Sequence, residues 1–224
     1  MTTEELKTKL ENPKDLVKGK LLDEKKCKAL AHALMTEFWI RKGSQHYWIT
    51  DLEFYIYTDS HRDIITYPRS CEAGCWFFHD SGVDITFKST MEFAKHPKNK
   101  KSKPKLTKDS VFGGILIRGI KPEEPLNLPD GAIYDFKGPW KSRTELFRCV
   151  DALNPDSSFP QLEPASRENK SVVKALDHRD GFPENAKEKV KSIRYNYSYW
   201  EGISEEELAD KYEFYRTKPY HYSV

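Results

Sequence analysis

The chain has 224 residues, enough for one domain or two small ones. Lys+Arg number 37 against 35 Asp+Glu, a net charge of +2, which excludes a globally basic nucleic-acid protein and confines any such binding to a local patch. Aromatic residues make up 13% of the chain, enough for a packed core, and no apolar run approaches the ~20 residues of a membrane helix.

The opening residues, MTTEELKTKLENPKD, lack the apolar core of a secretory signal. Cys27, Cys71, Cys75 and Cys149 then read as reduced thiols of a cytoplasmic protein. Residues 3–36 read as helical. Asp23 can cap a second helix, whose Cys27, Leu30, Ala31 and Leu34 recur at helical spacing and form a core stripe. Lys42-Gly43 marks a turn, and a long strand follows over 46–57. Alternation along that strand puts Trp48, Leu52, Phe54 and Ile56 on the core face. Asp51, Glu53, Tyr55 and Tyr57 then share the other face, a carboxylate beside an aromatic hydroxyl, with His61 just past the strand end.

The segment TDSHRDIITYPRSCEAG is rich in turn residues and reads as a loop. Two short strands follow, around CWFFHD and VDITF, joined at Ser81-Gly82. In the second, Asp84 and Thr86 alternate with Val83, Ile85 and Phe87, so they turn away from the local core. Residues 95–110 hold seven lysines and one acid and read as a solvated loop. Lysines so clustered can also hold a nucleic-acid backbone. FGGILIRGI (112–120) reads as a strand, with Gly113-Gly114 marking a bulge or a close backbone approach. Arg118 interrupts an apolar run and therefore needs a partner or a ligand. Residues 121–140 are punctuated by proline and glycine. Ser142 with Glu145 spells a capping box for a helix to Val150, and Ser204 with Glu207 spells another for a helix to about Tyr215. Residues 154–169 read as loop. SIRYNYSYW reads as a strand with Tyr195, Tyr197 and Tyr199 on one face.

Phosphate-binding glycine motifs and the G-x-S-x-G elbow are absent. Cys71 and Cys75 with His61 and His79 match no common zinc spacing. His61, Asp63, His79, Asp80 and Asp84 offer ligands for a hydrolytic metal. One positioned carboxylate suits a different reaction, water attack at an anomeric carbon, where it serves as base and stabilises a cationic sugar. On spacing alone Glu53 reads more readily as an exposed or paired strand glutamate.

The order of these segments resembles the alkyladenine (3-methylpurine) DNA glycosylase family over about residues 28–122. KALAHALMTEFWIRK resembles that family's helix and first strand. ITDLEFY is similar to its I-V-E-T-E-A-Y strand, which implies Glu53 as catalytic base and Tyr55 as a pocket tyrosine. D-S-H places His61 on the pocket histidine, and Tyr67-Pro68-Arg69 resembles a shortened R-T-P-R-N loop. CWFFHDSGVDITF resembles a hairpin that places Phe78 near a stacking tyrosine, with Asp84 or Thr86 near the pocket asparagine. GILIRGIKP resembles V-L-L-R-A-L-E-P and matches Arg118 to that arginine. The family's aromatic wedge falls at Ser81, which cannot fill a base stack.

The resemblance implies an α/β fold of α+β type, a single domain over 1–224 around a curved, mostly antiparallel sheet, with a lysine-rich insertion at 95–110. It implies hydrolysis of the N-glycosidic bond of a damaged purine, without metal or other cofactor. Substrate would lie on Tyr55, His61, Phe78, Asp84 and Thr86. Phosphates would lie on Arg69, Arg118, Lys100, Lys101 and Lys103. The expected partner is DNA or another nucleic acid, single strands included, with no membrane and no obligate protein partner. The alternatives are a non-catalytic nucleic-acid binder on the same fold and a metal-dependent hydrolase.

Overall fold

Two long antiparallel strands carry the architecture: β4 (Gln45–Tyr57) and β9 (Phe112–Pro122). Both are dense in β-branched and aromatic residues, which pack well on a pleated, buried surface. The computed structural model describes residues 1–95, 102–124, 126, 135–179, 190 and 203–224. In chain order the remaining elements are α1 (Thr3–Glu11), β1 (Val17–Lys18), β2 (Leu21–Leu22), α2 (Glu24–Thr36) and β3 (Phe38–Lys42). After β4 come β5 (Trp76–His79), β6 (Gly82–Thr86), β7 (Glu92–Lys95) and β8 (Ser102–Lys105). After β9 come β10 (Phe136–Lys137), α3 (Pro139–Phe147), β11 (Gln161–Pro164), β12 (Lys174–Leu176), α4 (Glu205–Arg216) and β13 (His221–Ser223).

The main sheet runs β11-β3-β4-β9-β6-β5, with β10 on β9 and β13 on β4. Every pairing among the described strands is antiparallel, so the chain has the expected α+β architecture around an antiparallel sheet. Helix α2 lays the anticipated stripe, Cys27, Leu30, Ala31 and Leu34, into the core, and Asp23 accepts the Lys26 N–H as its cap. No described helix is long and apolar enough to cross a membrane. The four cysteines are free thiols.

Several sequence readings need correction. The 3–36 region is not continuous helix: Pro13 starts a 3-10 turn, and Gly19, with φ +64, closes the β1–β2 hairpin. The β7–β8 ribbon occupies part of the segment read as a lysine-rich loop. Its Pro104 is tolerated because the ribbon has two strands and each is an edge. Lys100 and Lys101 lie outside the described residues, as does the tyrosine stripe at 195–199. Helix α3 starts a turn earlier than its expected capping box. Pro139, preset for a first helical position, begins it, and Ser142 bonds back to the carbonyls of Phe136 and Gly138 instead. Residues 161–164, read as loop, extend the sheet along β3. The Ser204 cap and its helix form as expected.

Strand β4 is not regular either. Its register against β9 shifts on both sides of Asp51, so the ladder skips Thr50 on β4 and Arg118 on β9. The bulge reverses the alternation, so Trp48 lines a cleft with Thr50 and Asp51 while Leu52, Phe54 and Ile56 enter the core. Gly119 makes room for the bulge, since a Cβ there would lie 2.7 Å from Thr50 Oγ1.

At Gly113 the close approach read from the sequence is real: a Cβ would lie 2.0 Å from the Tyr55 carbonyl oxygen. Gly113→Ala should therefore lower stability by roughly 3 kcal/mol, because the β4–β9 backbones must separate to admit it. Urea unfolding measures this; a loss within about 0.5 kcal/mol of zero would show that the strands can yield there.

Candidate functional site

The double irregularity at Thr50 and Arg118 aims the Arg118 guanidinium between two carboxylates of the neighbouring strand. Its Nη1 donates to Glu53 Oε2 at 3.0 Å, and its Nε lies 3.9 Å from Asp51 Oδ1. Glu53 is fully buried. Its other oxygen, Oε1, lies 3.1 Å from Arg179 Nε. Arg179, equally buried, places Nη1 2.8 Å from Asp63 Oδ2 and donates from Nη2 to the Phe54 carbonyl at 2.6 Å. The Tyr55 hydroxyl also hydrogen-bonds Glu53, and the Tyr55 ring lies under the Arg179 guanidinium at 4.5 Å. Asp63, Arg179, Glu53, Arg118 and Asp51 thus form one alternating chain of charge. His221, opposite Glu53 in the sheet, ends it with Nε2 2.5 Å from Asp51 Oδ1.

Burial pushes the Glu53 carboxyl above the usual carboxylate range, against the pull of Arg179 and Arg118. Burial and the Glu53 charge raise the Tyr55 hydroxyl well above its ordinary value. Arg179 stays cationic, because Asp63 and Glu53 more than offset its desolvation.

This chain of charge ends in a cleft of about 840 Å³, lined by Trp48, Asp51, Arg118, Lys121, Lys137 and Asn169 among others. Its size is that of a small-molecule site. Of the two carboxylates joined by Arg118, only Asp51 meets solvent: its side chain is 30% exposed, while Glu53 is sealed behind Arg118, itself 11% exposed. Trp48 is fixed at the cleft wall by donating its indole N–H to Glu123, which also pairs with Arg167.

Of the residues singled out by the sequence, Glu53, Tyr55 and Arg118 are brought together. The others go elsewhere. His61 is buried: its Nδ1 lies 2.9 Å from the Lys20 carbonyl and its ring packs on Tyr215 and Tyr220, outside the cleft. A carbonyl only accepts, so Nδ1 carries the proton, and buried Nε2 has no hydrogen-bond partner among the described residues. Asp84 is buried between Arg69 Nη1 at 2.6 Å and His79 Nε2 at 3.0 Å. Burial alone would raise its pKa, but Arg69 and His79 hold the carboxyl below the usual range. Arg69 is likewise buried against Asp84 and the Phe77 ring. Thr86 donates to the Glu72 carbonyl and accepts the Cys75 N–H, tying the loop to β6. Phe78 is exposed on the β5–β6 hairpin, and Lys103 lies on β8. Among the described residues no three His, Cys, Asp or Glu side chains converge to hold a metal.

Sequence reasoning missed Arg179 and His221, which lie far along the chain in segments with no motif. Asp51 was placed on the Glu53 face but given no role; its spacing from Glu53 was the available signal. No family model, curated protein or solved structure matches this chain.

Arg179→Met should destabilise the fold by about 3–5 kcal/mol, because it leaves the Asp63 carboxylate buried without its cation. A loss under about 1 kcal/mol in urea unfolding would mean water reaches Asp63. His61 gives a separate pH signature. Burial lowers its folded pKa below the ordinary 6.5, so the unfolded chain takes up the proton first. Its contribution to stability is complete above pH about 6.5 and declines as pH falls below that value, by at most about 1.4 kcal/mol per unit. His61→Gln should flatten stability curves recorded between pH about 5 and about 8. An unchanged slope would assign the proton uptake elsewhere.

Proposed function

We propose that the chain is a glycosylase-like hydrolase that cleaves the N-glycosidic bond of a damaged purine nucleotide held in this cleft. The observation that carries the reading is the pair of carboxylates bridged by Arg118 at the cleft wall, one open and one sealed. Asp51, the open one, takes the proton of a water molecule attacking C1′. The C1′–N bond breaks, and its electron pair leaves with the base, most easily when the purine is alkylated or protonated. Negative charge on Asp51 stabilises the cationic sugar of the transition state. Glu53 does not meet water and serves to position Arg118, which anchors an anionic group of the substrate. The resemblance of ITDLEFY and GILIRGIKP to the 3-methylpurine glycosylases supports the reaction class. The shift of the base from Glu53 to Asp51 comes from burial.

A second reading, a nucleic-acid binder that does not cleave, is favoured by one observation. Asp51 and Glu53 are both already engaged by cationic or protonatable partners, Asp51 by Arg118 and His221 and Glu53 by Arg118 and Arg179.

Base release from methylated purine nucleosides and from methylated single-stranded oligonucleotides, followed by chromatography, separates the readings. Asp51→Asn should reduce release by about a hundredfold or more. Glu53→Gln should act mainly through a raised KM as Arg118 loses its anchor. Release abolished by Glu53→Gln and spared by Asp51→Asn would return the base to Glu53. No release from the wild type, with oligonucleotide binding retained, would establish the second reading.

A further inference from the structure

Beside the cleft, the described residues 136–149 carry four cations, Lys137, Lys141, Arg143 and Arg148, and one acid, Glu145. That acid is buried and engaged by the Tyr47 hydroxyl and by Arg148 Nε at 2.7 Å. The outward face of α3 is therefore basic. It is also aromatic: Trp140 is 59% exposed, an unusual state for the largest apolar side chain. The Arg143 guanidinium lies 4.1 Å from the Trp140 ring centre, and its Nη1 donates to the His79 carbonyl at 2.8 Å, fastening α3 to the β5–β6 hairpin. On that hairpin Phe78 is 49% exposed and packs edge-on against Phe147 at 4.6 Å. Trp140 and Phe147 are seven residues apart on one helix, about 10 Å along its axis, so exposed Trp140 and the exposed Phe78 that packs on Phe147 stand near its two ends. Lys137, at the α3 end of the cleft, is 81% exposed, pairs with the exposed Asp135 at 3.2 Å, and joins the two surfaces. Asp80, at the hairpin tip, is the exposed acid nearest in sequence to Phe78.

We propose that α3 and the β5–β6 hairpin form a track for single-stranded nucleic acid leading from the cleft, with bases stacked on Trp140 and Phe78 and phosphates on Lys137, Lys141 and Arg148. The chemistry favours a single strand over other polyanions. Exposed rings are of use only to a ligand with free π faces, and a duplex has covered both faces of each base. An acidic peptide would use the cations and leave Trp140 idle. The proposal deepens the reading of the cleft and rests on it for the substrate: the nucleotide in the cleft belongs to a polymer rather than to a free nucleoside.

Fluorescence anisotropy with a short labelled oligothymidylate tests it, on the full chain, at about 50 mM and about 200 mM salt. Wild type should bind, more weakly at the higher salt. Trp140→Ala should weaken binding about tenfold, and adding Phe78→Ala should weaken it further. Both side chains are exposed, and circular dichroism checks that the variants fold. Failure of the wild type to bind, equal binding by Trp140→Ala, or equally strong binding of an oligoglutamate would each overturn the track. Trp140→Ala assayed on a methylated nucleoside keeps the two readings apart. Loss of oligonucleotide binding with wild-type nucleoside release supports both. Loss of binding in a protein that releases no base supports the track and removes the hydrolase. Nucleoside release by the wild type together with oligonucleotide binding unchanged by Trp140→Ala removes the track alone.

Discussion

A carboxylate with no access to water holds this structure together at its centre. Glu53 sits in the middle of the longest strand, between Arg118 on the neighbouring strand and Arg179 from a distant loop. Neither guanidinium is shared with Glu53 alone: one continues to Asp51 and the cleft, the other to Asp63 and the Phe54 carbonyl. Burying so many charges is costly, and the arrangement holds only because each is matched by an opposite neighbour. Removing one partner would leave the next exposed to the full desolvation penalty. The consequence is a fixed Arg118 at the cleft wall, held from behind rather than from the solvent side.

The same network explains how the sheet serves the cleft. A regular β4–β9 ladder would bury Trp48 with Leu52 and leave Arg118 opposed to a strand residue. The paired irregularity at Thr50 and Arg118, accommodated by Gly119, turns Trp48 and Asp51 to the cleft while keeping Leu52, Phe54 and Ile56 in the core. Beyond the cleft, Lys137 leads to the basic, aromatic face of α3. The mechanism we propose uses the cleft for one nucleotide and that face for the strand leading away from it.

Much of this was legible in the residues. The core stripe of α2, the long strands, the β5–β6 hairpin and the Ser204 cap follow from local periodicity and capping chemistry, which act over a few residues. Arg118 was marked by its place in an apolar run as needing a partner or a ligand, and the structure supplies Glu53. What the sequence withheld has a common cause. Arg179 reaches Glu53 across 126 positions of chain, and His221 reaches Asp51 across 170. Neither lies in a pattern that signals burial. Strand alternation failed at Thr50 because a bulge leaves no local mark when its space is made by a glycine on the opposite strand. His61 and Asp84 looked like pocket residues for their chemistry. The fold satisfies them internally, one against a backbone carbonyl and aromatic rings, the other between Arg69 and His79.

The claim on which this account stands is that Glu53 and Arg179 form one buried, energetically coupled pair. A double-mutant cycle in urea, combining Glu53→Leu with Arg179→Met, measures that coupling directly. The account predicts that the double variant is more stable than the sum of the single losses allows, by at least about 1.5 kcal/mol, because each single change leaves the other buried charge short of one of its partners. Additive losses would mean that the two side chains do not depend on each other, and Arg118 would then need another explanation for its place at the cleft.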